Sequence, residues 1–181
     1  MIQNRQDFLS FVDADRKNNS FNSRHSLVIK YLFLLRKCEY HKNLRHRFRF
    51  LFNYYRFKKM SQKYLTFIPL NVCDSGLSIS HMGCIFINSH SIIGKNCRIS
   101  QGVTIGSTNG NNESPKIGDN VFVGCNCSII GDIEIANDIC IGAGSVVVRS
   151  CLEPGITIGG NPAHFLSNNN SHKNLKVFAN E

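Results

Sequence analysis

From residue 87 to residue 147 every sixth position of the chain is aliphatic with one exception: Ile87, Ile93, Ile99, Ile105, Asn111, Ile117, Val123, Ile129, Ile135, Ile141 and Val147. The next position is often small, as at Gly94, Gly106, Gly118, Gly124, Ala136 and Gly142, and turn formers fill the gaps. Six residues make one short strand and one turn, too little to bury the unit's own apolar side chain. Neighbouring units must therefore stack, three to a triangular coil, with the aliphatic column pointing inward. Gly and Asn suit the corners because they tolerate the positive φ that a sharp bend requires. The pattern predicts a mainly β protein built as a parallel β-helix of hexapeptide repeats.

Two interruptions stand out. Asn111 lies in the polar, turn-forming stretch Ser107-Thr-Asn-Gly-Asn-Asn-Glu-Ser-Pro-Lys116, which predicts a loop protruding from the coil over 107–116. Before Ile87 the phase slips, since Ile79 and Ile85 are six apart but two residues out of register with the column. Irregularity beside functional residues is common, and His81 falls in that stretch. Cys73, Cys97, Cys127 and Cys151 share one phase, two residues before the column, and are expected to be buried filler rather than reactive thiols.

The first 63 residues lack the six-residue period. His25 to Tyr40 and Leu44 to Met60 instead mix Leu, Phe and Tyr with Lys and Arg at helical spacing, predicting amphipathic helices. The expected organisation is a basic helical segment over 1–63, the coil over 64–166 and a polar tail over 167–181. Charge follows the same division. The formal net charge of +9 separates into +11 for residues 1–63 and −2 for the remainder. A basic helical segment can be a solvated face, a surface for an anionic membrane or a nucleic-acid site. Nucleic acid is the least favoured and is not expected as a partner.

Composition changes the picture little. With 42% apolar and 18% charged residues the chain is globular rather than disordered. The apolar run from Leu27 to Leu35 contains Lys30 and falls below the roughly 18–20 residues that span a bilayer. No apolar stretch follows the opening residues, so the eight cysteines are expected to be reduced and the protein cytoplasmic, peripheral at most to the inner membrane face. Cys125-x-Cys127 alone is a weak metal signal, and no metal is expected.

Five segments carry a resemblance: Gly76-Leu-Ser-Ile-Ser-His-Met-Gly83, Gln101-Gly-Val-Thr-Ile-Gly106, Pro115-Lys-Ile-Gly118, Ile141-Gly-Ala-Gly-Ser-Val-Val147 and Gly159-Gly-Asn-Pro-Ala163. In this order, over about residues 64 to 166, the chain resembles the serine acetyltransferase-like branch of the left-handed β-helix acyltransferases. The period alone gives no handedness, and the general crossover rule favours the opposite hand. The resemblance implies a homotrimer with acetyl-coenzyme A in the groove between adjacent prisms. His81 matches the family's catalytic histidine, which takes the acceptor's hydroxyl proton. Gly106 and Ser107 match positions near the reacting thioester, and Gly124, Cys125, Gly142 and Ala143 match turns that pack against the pantetheine arm. Cys84 is a weaker alternative, as an acyl-carrying thiol. An inert scaffold and a three-histidine metal site are further alternatives, the second without the required His spacing.

The chain also departs from that pattern. Ser80 stands before His81 where the family has Asp, and no acidic residue lies between Glu39 and Asp74 to orient the ring. Glu113 and Ser114, the candidate substrate-binding pair, replace the Arg-His that recognises the amino-acid carboxylate. With that cation lost, and with Ile68-Pro-Leu-Asn71 resembling the lead-in of capsule acetyltransferases, a sugar or lipid-linked sugar hydroxyl in surface-polysaccharide synthesis is the expected acceptor. Serine O-acetylation for cysteine biosynthesis is the alternative.

Overall fold

The computed structural model describes residues 1–19, 26–108 and 112–178. Three helices, α1 (Arg5–Asn18), α2 (Leu27–Asn43) and α3 (Arg47–Tyr64), precede a coil of short strands. The coil has three faces. The first stacks β1 (Thr66–Phe67), β3 (Ile85–Ile87), β6 (Thr104–Gly106), β9 (Ser128–Ile130) and β12 (Val146–Val147). The second stacks β4 (Ile92–Ile93), β7 (Lys116–Ile117) and β10 (Glu134–Ile135). The third stacks β2 (Ser78–Ile79), β5 (Arg98–Ile99), β8 (Phe122–Val123), β11 (Cys140–Ile141) and β13 (Thr157–Gly160), closed by antiparallel β14 (Ala163–Ser167).

All the other pairings are parallel, and they put the six-residue column in register. Ile87 lies beside Ile105, Ile105 beside Ile129, Ile93 beside Ile117, and Ile99 beside Val123. These side chains are buried together down the prism axis. Each contributes roughly 1.5–3 kcal/mol relative to exposure. The cysteine expectation holds for Cys73, Cys97 and Cys127, all buried. Burial pushes the Cys97 thiol up to about 12. Cys151 is only half-buried and sits opposite Ile135, at a column position, so the phase has shifted by the last turn of the coil.

At the corner between the second and third faces, Asn96, Asn120 and Asp138 hold φ of 56°, 57° and 62°. Their side chains form a ladder. Asn96 Nδ2 donates to Asn120 Oδ1 at 3.1 Å, and Asn120 Nδ2 to Asp138 Oδ1 at 2.9 Å. Helix α1 extends the ladder below through Asn18 Nδ2 to Asn96 Oδ1, and His172 of the C-terminal segment meets Asp138 above at 2.9 Å.

The helices are fastened to the first coil by polar contacts. Asn4 accepts from the Asp7 N–H, and the Asp7 carboxylate accepts from Gln3, a reciprocal N-cap for α1. Arg36 of α2 is fully buried. It gives two bonds to Asp15, one to Glu39 and one each to the carbonyls of Cys73 and Asp74. Asp15 also accepts from the N–H groups of Gly76 and Leu77, and Glu39 from that of Asn71. Burial works against the Arg36 charge, but the two carboxylates outweigh it and raise its pKa. Asn19 completes the junction by donating to the Leu77 carbonyl and accepting from the Ile79 N–H along the open edge of β2.

Candidate active site

The corner bearing His81 is longer than those stacked on it. Ile79 pairs with Ile99 and Ile87 with Ile105, so this turn spends two more residues between the same two faces than the turn above. The phase slip in the sequence is this insertion. It runs through Gly83 at φ 133° and Cys84 at φ 52°, the latter a backbone conformation side-chain-bearing residues rarely adopt. The Gly83 N–H donates to Thr66 Oγ1, and its carbonyl accepts from the Gly102 N–H, pinning the insertion on both sides. Ser80 is held in by Arg98, whose Nε donates to Ser80 Oγ at 3.0 Å. His81 follows on the outside and is exposed.

The turns matched to coenzyme A, which carry Cys125 and Ala143, lie on the same edge as His81. The Asn126 N–H bonds the Gln101 carbonyl, and the Gly144 N–H bonds that of Cys125, so Gln101, Cys125 and Ala143 climb one corner directly above the insertion. Cys125 is half-buried and Ala143 exposed. Beneath them Gly124 is buried, and a Cβ there would come within 2.6 Å of the Ala143 nitrogen and 2.8 Å of the Ile141 oxygen. Only glycine lets these two levels close. Gly142 is less constrained, with 3.6 Å to its nearest would-be neighbour.

The remaining matched residues lie on the far margin of the first face. Gly106 ends β6 there and Ser107 follows it, with Asn88 Nδ2 donating to Ser107 Oγ at 3.3 Å. The predicted loop leaves from that margin, as the long connection from β6 to β7. Residues 109–111, including Asn111, lie outside the described residues. Within the loop Glu113 is exposed and Ser114 is buried, so the Ser114 hydroxyl does not face the solvent. The two sets of residues are thus separated by one strand length, about 10 Å, within a single chain.

Among the described residues no carboxylate orients the imidazole. Asp74 Oδ1 accepts from the Ser75 N–H, while Asp15 and Glu39 are committed to Arg36, and among the described residues none bonds the His81 ring. No local pattern announces the Arg98–Ser80 contact or its support. Arg98 Nη1 reaches the Asn174 carbonyl at 2.9 Å, so the C-terminal segment folds back along the third face, burying Leu175. The apolar group Leu175, Val177 and Phe178 in a tail otherwise rich in Asn and Ser was the clue. A cleft of about 410 Å³ lies elsewhere, between α3 and the first coil, lined by Phe50, Tyr54, Phe57, Phe67 and Leu70. Among the described residues no three His, Cys, Asp or Glu side chains form a metal-binding group.

Comparison with known proteins gives this architecture its class. The family model for the bacterial transferase hexapeptide (six repeats) matches residues 114–149, and the fold is the left-handed parallel β-helix that the resemblance implied, preceded by helices. The relatives are serine acetyltransferases. The chain is 37% identical over 109 residues to mitochondrial serine acetyltransferase 3 of Arabidopsis thaliana, covering 59% of this chain and 28% of that one. A soybean serine acetyltransferase solved with serine superposes at a TM-score of 0.70 and 25% identity, over 90% of this chain and 69% of that one. A serine acetyltransferase from Brucella abortus strain S19 solved with coenzyme A gives a TM-score of 0.70 at 25% identity, over 91% and 68%. The chain spans less than half the length of the curated relatives it matches. These findings overturn the expected sugar acceptor and the kinship with capsule acetyltransferases. The kinship had rested on the Ile68-Pro-Leu-Asn71 lead-in and the acceptor on that lead-in together with the missing Arg-His pair, but loss of one charge contact weakens binding of an acceptor without naming a replacement.

Proposed function

We propose that this chain is an acetyl-coenzyme A-dependent O-acetyltransferase whose acceptor is L-serine, with His81 as general base. The observation that carries the reading is the single histidine presented by the inserted corner, on the same edge as Cys125 and Ala143. A nitrogen of the His81 ring takes the serine hydroxyl proton as that oxygen attacks the thioester carbonyl. The N–H groups of Gly106 and Ser107 stabilise the oxyanion. The coenzyme A thiolate then leaves and recovers the proton from the imidazolium.

The active form proposed is a homotrimer. His81, Cys125 and Ala143 occupy one margin of the first face, and Gly106, Ser107 and Glu113 the other, so a groove between two copies is the natural place for both sets to meet. Groups from the adjacent copy or the acceptor then fix the imidazole that no described carboxylate of its own chain holds. The eight free thiols suit a reducing cytoplasm. With Glu113 in place of a cation, the Michaelis constant for serine is expected to be high, because a charge-assisted bond of roughly 1.5–3 kcal/mol is absent.

The test is release of coenzyme A by the purified chain with acetyl-coenzyme A and L-serine, with O-acetylserine identified by mass spectrometry. Coenzyme A binding without any turnover of serine would refute the acceptor. A mass in solution equal to one chain would refute the intersubunit site.

A further inference from the structure

Helix α3 buries one side against the rest of the chain through Asn53, Phe57 and Ser61. Its opposite side is apolar as well. Phe48, Leu51, Phe52 and Tyr55, at spacing i, i+3, i+4 and i+7, form a single stripe and are 90%, 61%, 66% and 66% exposed. Four adjoining large apolar side chains left in water are unlike the scattered exposed residues of an ordinary surface. Cations border the stripe on both sides: Arg47 and Lys58 along one, Arg49, Arg56 and Lys63 along the other, all exposed. Arg56 stands over the Phe52 ring at 5.7 Å and Lys59 over that of Tyr55 at 5.8 Å. No acidic residue occurs between Glu39 and Asp74.

We propose that this face of α3 docks on the surface of an anionic phospholipid bilayer, the aromatic stripe entering the headgroup layer and the flanking cations meeting lipid phosphates. Charge complementarity selects that occupant. A second copy of the helix would set the same cations against one another, which costs free energy, whereas a negatively charged lipid surface attracts every one of them. Rings between two rows of Lys and Arg suit the boundary between acyl chains and headgroups. An open groove beside the stripe, about 560 Å³ and lined by Lys37, His41, Arg49, Phe48 and Phe52, offers room for a headgroup. The local field there is positive: burial lowers the His41 pKa, and His46, Lys37 and Arg49 lower it further. The helix is not a membrane span, since no described helix is long and apolar enough to cross a bilayer. This proposal stands independently of the acetyl-transfer reading, because none of its residues belongs to the His81 corner.

The experiment is flotation of the full chain with vesicles of phosphatidylcholine alone or with about 30% phosphatidylglycerol, at about 0.1 M and about 1 M salt. The expected result is flotation with anionic vesicles at low salt only. The double variants Phe48→Ser/Phe52→Ser and Arg49→Gln/Arg56→Gln should each lower partitioning roughly tenfold or more while keeping the wild-type circular dichroism spectrum. Should the aromatic variant misfold, the arginine variant, which changes only exposed polar groups, decides the matter. Equal flotation with neutral vesicles, none with anionic ones, or displacement from vesicles by duplex DNA at lower concentration than by phosphatidylglycerol would overturn the proposal. So would an oligomer that the aromatic variant dissociates, which would mark the stripe as a contact between copies.

Discussion

The helical segment and the β-helix are held together by opposite means. In the coil, near-equivalent aliphatic side chains repeat down an axis, and each level relies only on those above and below it. The helices depend on one fully buried guanidinium, Arg36, and the two carboxylates around it, together with asparagines that grip the edge of the first coil. A repeated core spreads the consequence of any one change. A single ionic junction concentrates it.

The sharpest contrast is between His81 and Arg36. His81→Asn should cut acetyl transfer by about 10²–10⁴-fold. Its melting temperature should stay at the wild-type value, because the ring is exposed and bonded to nothing described. Arg36→Ala should do the reverse. Leaving Asp15 and Glu39 buried without their cation costs about 3–5 kcal/mol, to be read as loss of denaturant resistance. If the helices melt first in that variant while the coil's β signal persists, the two regions are separable. One concerted transition would show that the junction serves both.

Within the coil, Gly124→Val forces a side chain against the Ala143 backbone and should cost about 1–3 kcal/mol by thermal unfolding, with weaker coenzyme A binding. A smaller effect is expected at Glu113, where Glu113→Arg should lower the Michaelis constant for serine by roughly tenfold without altering stability. The smallest concerns the thiols. Iodoacetamide should label exposed Cys84 in the folded protein and spare buried Cys97 and Cys127, and Cys84→Ala should keep turnover within about twofold of wild type. Abolished turnover in that variant would revive a covalent acyl-cysteine route.

The sequence foretold the two regions unequally. The coil was legible because its core is a period: once every sixth residue is aliphatic, stacking and register follow, and even the inserted corner at His81 announced itself as a slip of two. Helices were also foreseen, but their sidedness was not. Phe48, Leu51, Phe52 and Tyr55 have the spacing of one helix face, yet the structure buries the face carrying Asn53, Phe57 and Ser61. Which of two apolar faces packs inward is decided by distant contacts. Arg36 likewise looked like one surface charge among fifteen, since nothing local says that Asp15, 21 residues earlier, will meet it. At the candidate site, motif alone proposes His81 and the turns above it but not Arg98's hold on Ser80, because their pairing exists only after the coil has closed.

The two ends of the third face have a consequence of their own. A stack of parallel strands has no intrinsic stopping point, and each terminal strand offers unpaired amides to the next chain that arrives. Here Asn18 and Asn19 occupy the lower terminus and antiparallel β14 the upper. Growth into a fibre is thereby blocked at both ends of that face, leaving sideways contact between prisms as the open route to assembly.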